Sequence, residues 1–356
     1  MRQPNLELLR LFAMFLVLVV HAAFFSLGFP DSNTILSNTF EQVLITFTES
    51  ISIICVNVFV LISGWFGIKP SIKSLSNFLF QVFFFLFSIY LIMIILGKTN
   101  FTLKGLLECF TITKWNWFIK VYLSLFFLSP VLNTFVVNTD KRTFKLVLIT
   151  FYLLQTVYGC LGLIDHYSNG YSVISFIGLY LLARYLNVYK PVITQKTQSF
   201  YIIVYFVCAI SLTTLTIVPA FLSISPNKIN RLIGMLYTYI CPIVIVEALA
   251  FFFIFEKMYI KTKYKKLINT LAASSFAVFL LHTNPNIILS IYVANVRYLW
   301  SLSNCITFNI LAILLFLIIV FCSAILIDQI RIYFWKLCGS KIQSNLHLIV
   351  SKIIDK

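Results

Sequence analysis

The chain has 356 residues, of which 60% are hydrophobic and only 11% charged, with a mean hydropathy of +0.97. That balance excludes a water-soluble globular domain, and apolar stretches long enough to cross hydrocarbon recur along the chain. The formal net charge of +16 does not point to nucleic acid, because the basic residues lie between apolar spans and form no contiguous patch interleaved with aromatic rings.

Apolar runs between breaks predict an all-α polytopic membrane protein of about ten transmembrane helices. They lie near residues 6–29, 40–66, 74–97, 117–137, 144–164, 171–189, 198–222, 232–255, 268–293 and 305–327. Helices are expected because backbone amides find no water in hydrocarbon, and the runs are too long and too little alternating for barrel strands. Spans of roughly 20 residues leave short connections and no room for a soluble domain. Met1 to Phe25 could pass for a signal peptide, but Arg10 interrupts its apolar core and no small-residue cleavage site follows, so an uncleaved first helix is expected.

Loop charge sets the orientation. With the N-terminus inside, the cytoplasm receives Arg2, Lys69, Lys73, Lys141, Arg142, Lys145, Arg184, Lys190, Lys196, the run of lysines from Lys257 to Lys266 and the basic tail. The opposite side keeps Lys98, Lys104, Lys114, Lys120, Lys228, Arg231 and Arg297. Both termini are then cytoplasmic. Residues 1–336 form one transmembrane domain, and 337–356 a basic tail that could lie as an amphipathic helix on the anionic leaflet or remain a solvated end. Eight cysteines are scattered, with Cys55, Cys208, Cys241 and Cys322 inside apolar runs and no pair at metal-ligand spacing, so they read as packing residues and no metal site is expected.

The first span, NLELLRLFAMFLVLVVHAAFF, holds Arg10 and His21 with only apolar residues between them. Eleven helical steps return to within roughly 20° of the same face over about 16 Å, so both side chains point the same way, half a bilayer apart. Arg10 could simply snorkel to the interface, and His21 could serve an interhelical hydrogen bond. Against both stands the cost of ionisable groups at depth, which suggests a polar track along this helix, with His21 suited to accept a proton. Further on, His282 is followed by Asn284 and Pro285, which should kink the ninth helix, and it could line the same cavity or pack silently. Glu247 is a lone carboxylate in an apolar span. Asp165, His166 and His347 read as solvated surface.

An Arg and a His with this spacing in the first of about ten helices resembles the acyltransferase family 3 signature. VNVFVLISGWFGI resembles the family's second-helix element and places Ser63, Gly64 and Trp65 at its cytoplasmic end. KWNWFIKVYLSLFFLSPVLN resembles its Trp-aromatic segment, with Trp117, Tyr122 and Pro130, while SFIGLYLLARYL and SSFAVFLLHTNP resemble two later elements, the last with His282 in the histidine position. The likeness covers nearly the whole chain. Two departures stand out. The basic patch that many members carry after the Ser-Gly element is reduced to Lys69 and Lys73, with Gln81 beyond, and Phe279 replaces a tyrosine.

The resemblance implies a multi-pass inner-membrane enzyme of bacteria. It would move an acyl group, usually acetyl, from cytoplasmic acyl-coenzyme A as donor substrate, with no bound cofactor, to a sugar hydroxyl of a surface or lipid-linked polysaccharide. His21 would be the base or an acyl carrier and Arg10 its partner. Arg10, Lys69, Lys73 and Arg184 are then candidates for the coenzyme phosphates. Trp117 and Tyr122 could stack on a sugar or belong to the interfacial aromatic belt. A polysaccharide carrier or a glycan polymerase is the alternative; the first would favour matched broken helices, and the second a large external loop with paired arginines.

Overall fold

A computed structural model describes residues 3–111, 116–162, 165–222 and 224–354, and every regular element among them is helical. Helix α1 (Pro4–Ala22) starts with proline in its first turn, where the missing amide is no loss. It breaks at Ala23, and α2 (Phe24–Leu27) finishes the span at Gly28, whose φ of +99° suits glycine. A break at this depth frees backbone groups that lipid cannot satisfy. Side chains supply the partners: the Phe24 amide donates to Glu49 Oε2 at 3.2 Å, and Ser26 Oγ donates to the His21 carbonyl at 2.5 Å.

Helix α3 (Ser32–Ser37) is capped by Asp31, whose carboxylate accepts from the Asn33 and Thr34 amides. Helices α4 (Thr39–Ser52) and α5 (Cys55–Phe66) make one span across Ile53 and Ile54, and α6 (Ile72–Ile95) opens on a Ser71–Ser74 capping box. Short α7 (Leu103–Phe110) precedes α8 (Trp117–Asn138). Pro130 inside α8 cannot donate to the Phe126 carbonyl, and Ser129 Oγ does so at 2.7 Å. Helix α9 (Lys141–Leu154) widens into a π-turn through Leu161, and α10 (Val173–Tyr189) packs back along it.

Helix α11 (Gln198–Phe221) is followed by α12 (Pro226–Leu236) and α13 (Pro242–Glu256), which are separate because Pro242 restarts the chain after a turn at Tyr237–Cys241. Helix α14 (Thr262–His282) stops at His282, and α15 (Pro285–Ile287), a π-turn over Ile288–Val293 and α16 (Ala294–Trp300) continue at a 61° bend. Helix α17 (Ile306–Ile354) closes the chain.

Among the described residues, seven helices are long and apolar enough to cross a membrane, and an eighth if the bent pair from Thr262 to Trp300 counts as one span. The chain is therefore a polytopic membrane protein. Two of the expected spans correspond to shorter helices, α10 and α13, because the apolar run at 232–255 is cut at Pro242. The run ending at 327 does not stop there, since α17 carries on through Asp328 and Arg331 into the expected tail. Arg2, Lys114 and the last two residues lie outside the described residues, as do the side chains of Asp165, His166 and His347.

Position in the bundle follows from burial. The α4–α5 span is 78% buried and α1–α2 56%, against 17% for α17, so the first two spans form the centre and α17 the rim. Helix α1 packs on α14, α5, α4 and α13, and α5 packs on α10. Gly64 sets that last approach: a Cβ there would come within 2.6 Å of the Tyr180 carbonyl oxygen, so only glycine lets α5 and α10 close. Hydrogen bonds then tie helix ends together on the side where α1 begins. Asn5 donates to the Phe255 and Glu256 carbonyls, Asn187 to Trp65, Asn133 to Ile68, and Tyr189 to Thr139. The loops carrying Lys69, Lys141, Arg142, Lys190 and Lys257 are thereby gathered at one end of the molecule.

Candidate active site

Helix α1 runs unbroken from Arg10 to His21, so the same-face relation expected from helical phase holds, with about 16 Å between them. Each residue lines its own cavity. The first, of about 420 Å³, is walled by Arg10, Ser63, Gln81, Tyr122 and Ser275, with the exposed Ser74 and Asn77 at its mouth. The second, of about 280 Å³, is walled by His21, Asn116, Trp117, Tyr171, Tyr239 and Thr283. Met14, Phe59, Phe118 and Phe276 line both cavities, so the two share a wall and run end to end along α1.

At the first cavity the Arg10 guanidinium pairs with Glu7, Nη1 to Oε2 at 2.8 Å. One turn back on the same helix, buried Glu7 steers the guanidinium toward the cavity wall. Ser63 Oγ donates to the Phe59 carbonyl at 3.0 Å and meets the Tyr122 hydroxyl at 3.4 Å. Tyr122 therefore lines the Arg10 cavity, whereas Trp117 lines the His21 cavity. Lys69 and Lys73 are exposed, and Lys73 adjoins Ser74 at the mouth and is one turn from Asn77 on α6. Arg184 is turned elsewhere: its guanidinium lies on Gly67 and donates to the Trp65 carbonyl at 3.4 Å, pinning the end of α5. The Ser-Gly-Trp element thus divides its labour. Ser63 faces the cavity, Gly64 admits α10, and the Trp65 carbonyl anchors Asn187 and Arg184.

At the second cavity, His21 Nδ1 lies 2.9 Å from His282 Nε2, and His282 Nδ1 lies 2.6 Å from the Val278 carbonyl. His282 is buried and contacts His21 without itself lining the cavity. The bend of α14 immediately after it was legible in Asn284 and Pro285; its contact with α1 was not. Trp117 opens α8, where the Asn116 side chain caps the helix by accepting from the Phe118 amide. Its ring packs edge-on to Tyr171 at 4.4 Å and parallel to Tyr239 at 6.0 Å, closing the end of the chamber.

Three acidic groups that sequence reasoning passed over shape this site: Glu7 beside Arg10, Glu49 under the α1 break, and Asp328. Asp328 is held by Arg331 through a fork of 2.6 and 2.9 Å, and Gln81 of the first cavity reaches it at 3.4 Å. Their signal was present, since carboxylates are rare within apolar spans. Glu247 is fully buried, and neither carboxylate oxygen meets a partner among the described residues.

The protein-family profile described as an acyltransferase domain, acyltransferase family 3, matches residues 3–328. The chain belongs to that family, and it is a membrane acyltransferase. No curated protein matches it, and no solved structure does.

Proposed function

We propose that this enzyme transfers an acyl group, in the simplest case acetyl, from cytoplasmic acyl-coenzyme A to a sugar hydroxyl of a cell-surface or lipid-linked polysaccharide, working in a bacterial inner membrane. The observation that carries the reading is the pair of cavities sharing one wall, with Arg10 in one and His21 in the other. The donor has anionic phosphates at one end and a thioester at the other, joined by a pantetheine arm about as long as the Arg10–His21 separation of roughly 16 Å. Arg10 takes a phosphate through its fork, Lys69 and Lys73 add charge at the mouth, and Ser63 and Tyr122 offer hydroxyls to the arm.

The thioester carbonyl then reaches His21, and the acceptor hydroxyl comes from the chamber closed by Trp117. As the hydroxyl oxygen bonds to the carbonyl carbon, its proton passes to a His21 ring nitrogen. The carbon–sulfur bond breaks, and the coenzyme thiolate takes that proton as it leaves. In the alternative order, His21 attacks the thioester carbon and expels the coenzyme thiolate, and the acyl-imidazole then gives its acyl group to the acceptor hydroxyl, whose proton goes to the thiolate.

Surface glycan is analysed for O-acyl groups from wild type, a deletion strain and His21→Ala. Loss of the acyl groups in the last two supports the reading, and an unchanged acyl content with no turnover of acetyl-coenzyme A by purified protein ends it. Rapid quenching with labelled acyl-coenzyme A separates the two orders: an acyl-enzyme formed without acceptor, and missing in His21→Ala, selects the second.

A further inference from the structure

The contact between α1 and α14 fixes which nitrogen of His21 does the chemistry. The carbonyl of Val278 can only accept a hydrogen bond, and it lies 2.6 Å from His282 Nδ1, so that nitrogen carries the proton. A neutral imidazole has one N–H, which leaves His282 Nε2 bare and able only to accept. The group that meets it is His21 Nδ1, at 2.9 Å, and this nitrogen must therefore donate. Among the described residues, no other group hydrogen-bonds to His282 Nε2 or His21 Nδ1. The Thr283 hydroxyl is committed to the Phe279 carbonyl at 2.7 Å, and the hydroxyl of Tyr292, whose ring flanks His282, to the Leu18 carbonyl at 2.6 Å.

We propose that His282 is a positioning residue that holds His21 in the Nδ1–H tautomer, so that the lone pair of His21 Nε2 faces the cavity as the proton acceptor or the nucleophile. This deepens the acyl-transfer reading and rests on it for its catalytic part. An unconstrained imidazole prefers the proton on Nε2, which would present a donor where the reaction needs a base. The ring that accepts through one nitrogen is set by the hydrogen bond at the other. When Nε2 takes the hydroxyl proton, His21 becomes an imidazolium whose Nδ1–H still points at a bare nitrogen. The relay therefore supports the charged state as well as the tautomer, and it serves both orders of reaction equally.

The test uses full-length protein in lipid nanodiscs, with His282→Phe, which removes the acceptor, and His282→Gln, whose amide oxygen can restore one. His282→Phe should lower kcat by roughly 10²–10⁴-fold, the range for a base lost or held in the wrong tautomer, with KM for acetyl-coenzyme A within about threefold. His282→Gln should regain about tenfold or more of that loss. The chain has only four histidines, so nitrogen-15 spectra of histidine-labelled protein, assigned with His21→Ala, read the protonated nitrogen directly. Wild type and His282→Gln should show His21 protonated on Nδ1, and His282→Phe should move the proton to Nε2. Wild-type kcat in His282→Phe, equal losses in the Phe and Gln variants, or a proton on Nε2 in the wild type would each overturn the proposal. The spectra need no turnover, so a wild type that transfers nothing would refute the acyl-transfer reading while the tautomer was still decided.

Discussion

An arginine at a helix end invites the bland explanation of snorkelling, and what separates Arg10 from it is the company it keeps. Buried Glu7 fixes one nitrogen of its fork at 2.8 Å, and its cavity is walled by the hydroxyl, amide and aromatic groups of Ser63, Gln81 and Tyr122. A snorkelling side chain needs neither an acidic neighbour nor a pocket. Replacing Arg10 by Ala should therefore raise KM for acyl-coenzyme A by about 10–100-fold, the equivalent of a charged hydrogen bond worth roughly 1.5–3 kcal/mol. The effect on kcat should be far smaller, and Arg10→Lys should recover only part of the affinity because an ammonium cannot reproduce the fork. Titration calorimetry with coenzyme A gives the same answer without turnover, and an affinity equal to wild type would remove Arg10 from the donor site. The cost of ionisable groups in an apolar span, their shared helical phase and the family resemblance together singled out this residue and His21 in the sequence. The partner of His21 was not, because His282 is 261 positions away and only the packing of α14 against α1 brings them together.

At the scale of the element, the feature that sets the site is a discontinuity. Helix α1 stops one residue past His21, and the backbone groups released there are held by Glu49 from α4 and by Ser26 from α2. The break turns the end of the helix while keeping His21 on its last regular turn. Glu49→Leu would leave the Phe24 amide without an acceptor inside the bundle, costing about 1–3 kcal/mol. The variant should show a lowered thermal midpoint in detergent together with a reduced kcat. Glu49→Gln keeps an oxygen acceptor and should stay close to wild type in both. Equal behaviour of the two variants would mean that Glu49 does not hold the break. Hydropathy marked the run from 6 to 29 as one element because it counts side chains, whereas the break is made by a carboxylate 25 residues beyond the amide it binds. The cut before α13 was better advertised, since Pro242 sits in the middle of an apolar run and starts a helix more readily than it continues one.

For the whole molecule, the question is which way the cavity pair faces. The hydrogen bonds between helix ends collect the Lys69, Lys141, Lys190 and Lys257 loops at the Arg10 end, and the positive-inside rule predicts that this end faces the cytoplasm, the side from which the proposed donor would enter. Native cysteines can test this without adding a tag. Cys305 is exposed in the turn before α17, beside the Ser37–Glu41 segment at the far end from Arg10. Cys338 lies on α17 itself, 33 residues further along, or about 50 Å at 1.5 Å per residue. That distance exceeds the roughly 30 Å of hydrocarbon, so the two thiols are expected at opposite faces of the bilayer. Buried Cys55, Cys109, Cys160, Cys208 and Cys241 should not react, and Cys322, exposed along the apolar part of α17, faces lipid that a membrane-impermeant reagent does not enter. In intact cells a membrane-impermeant maleimide should label Cys305 and spare Cys338, with Cys305→Ser abolishing the signal and permeabilisation adding the second site. The reverse order would place the Arg10 cavity outside, away from the coenzyme, and a donor path running from Arg10 to His21 could not operate.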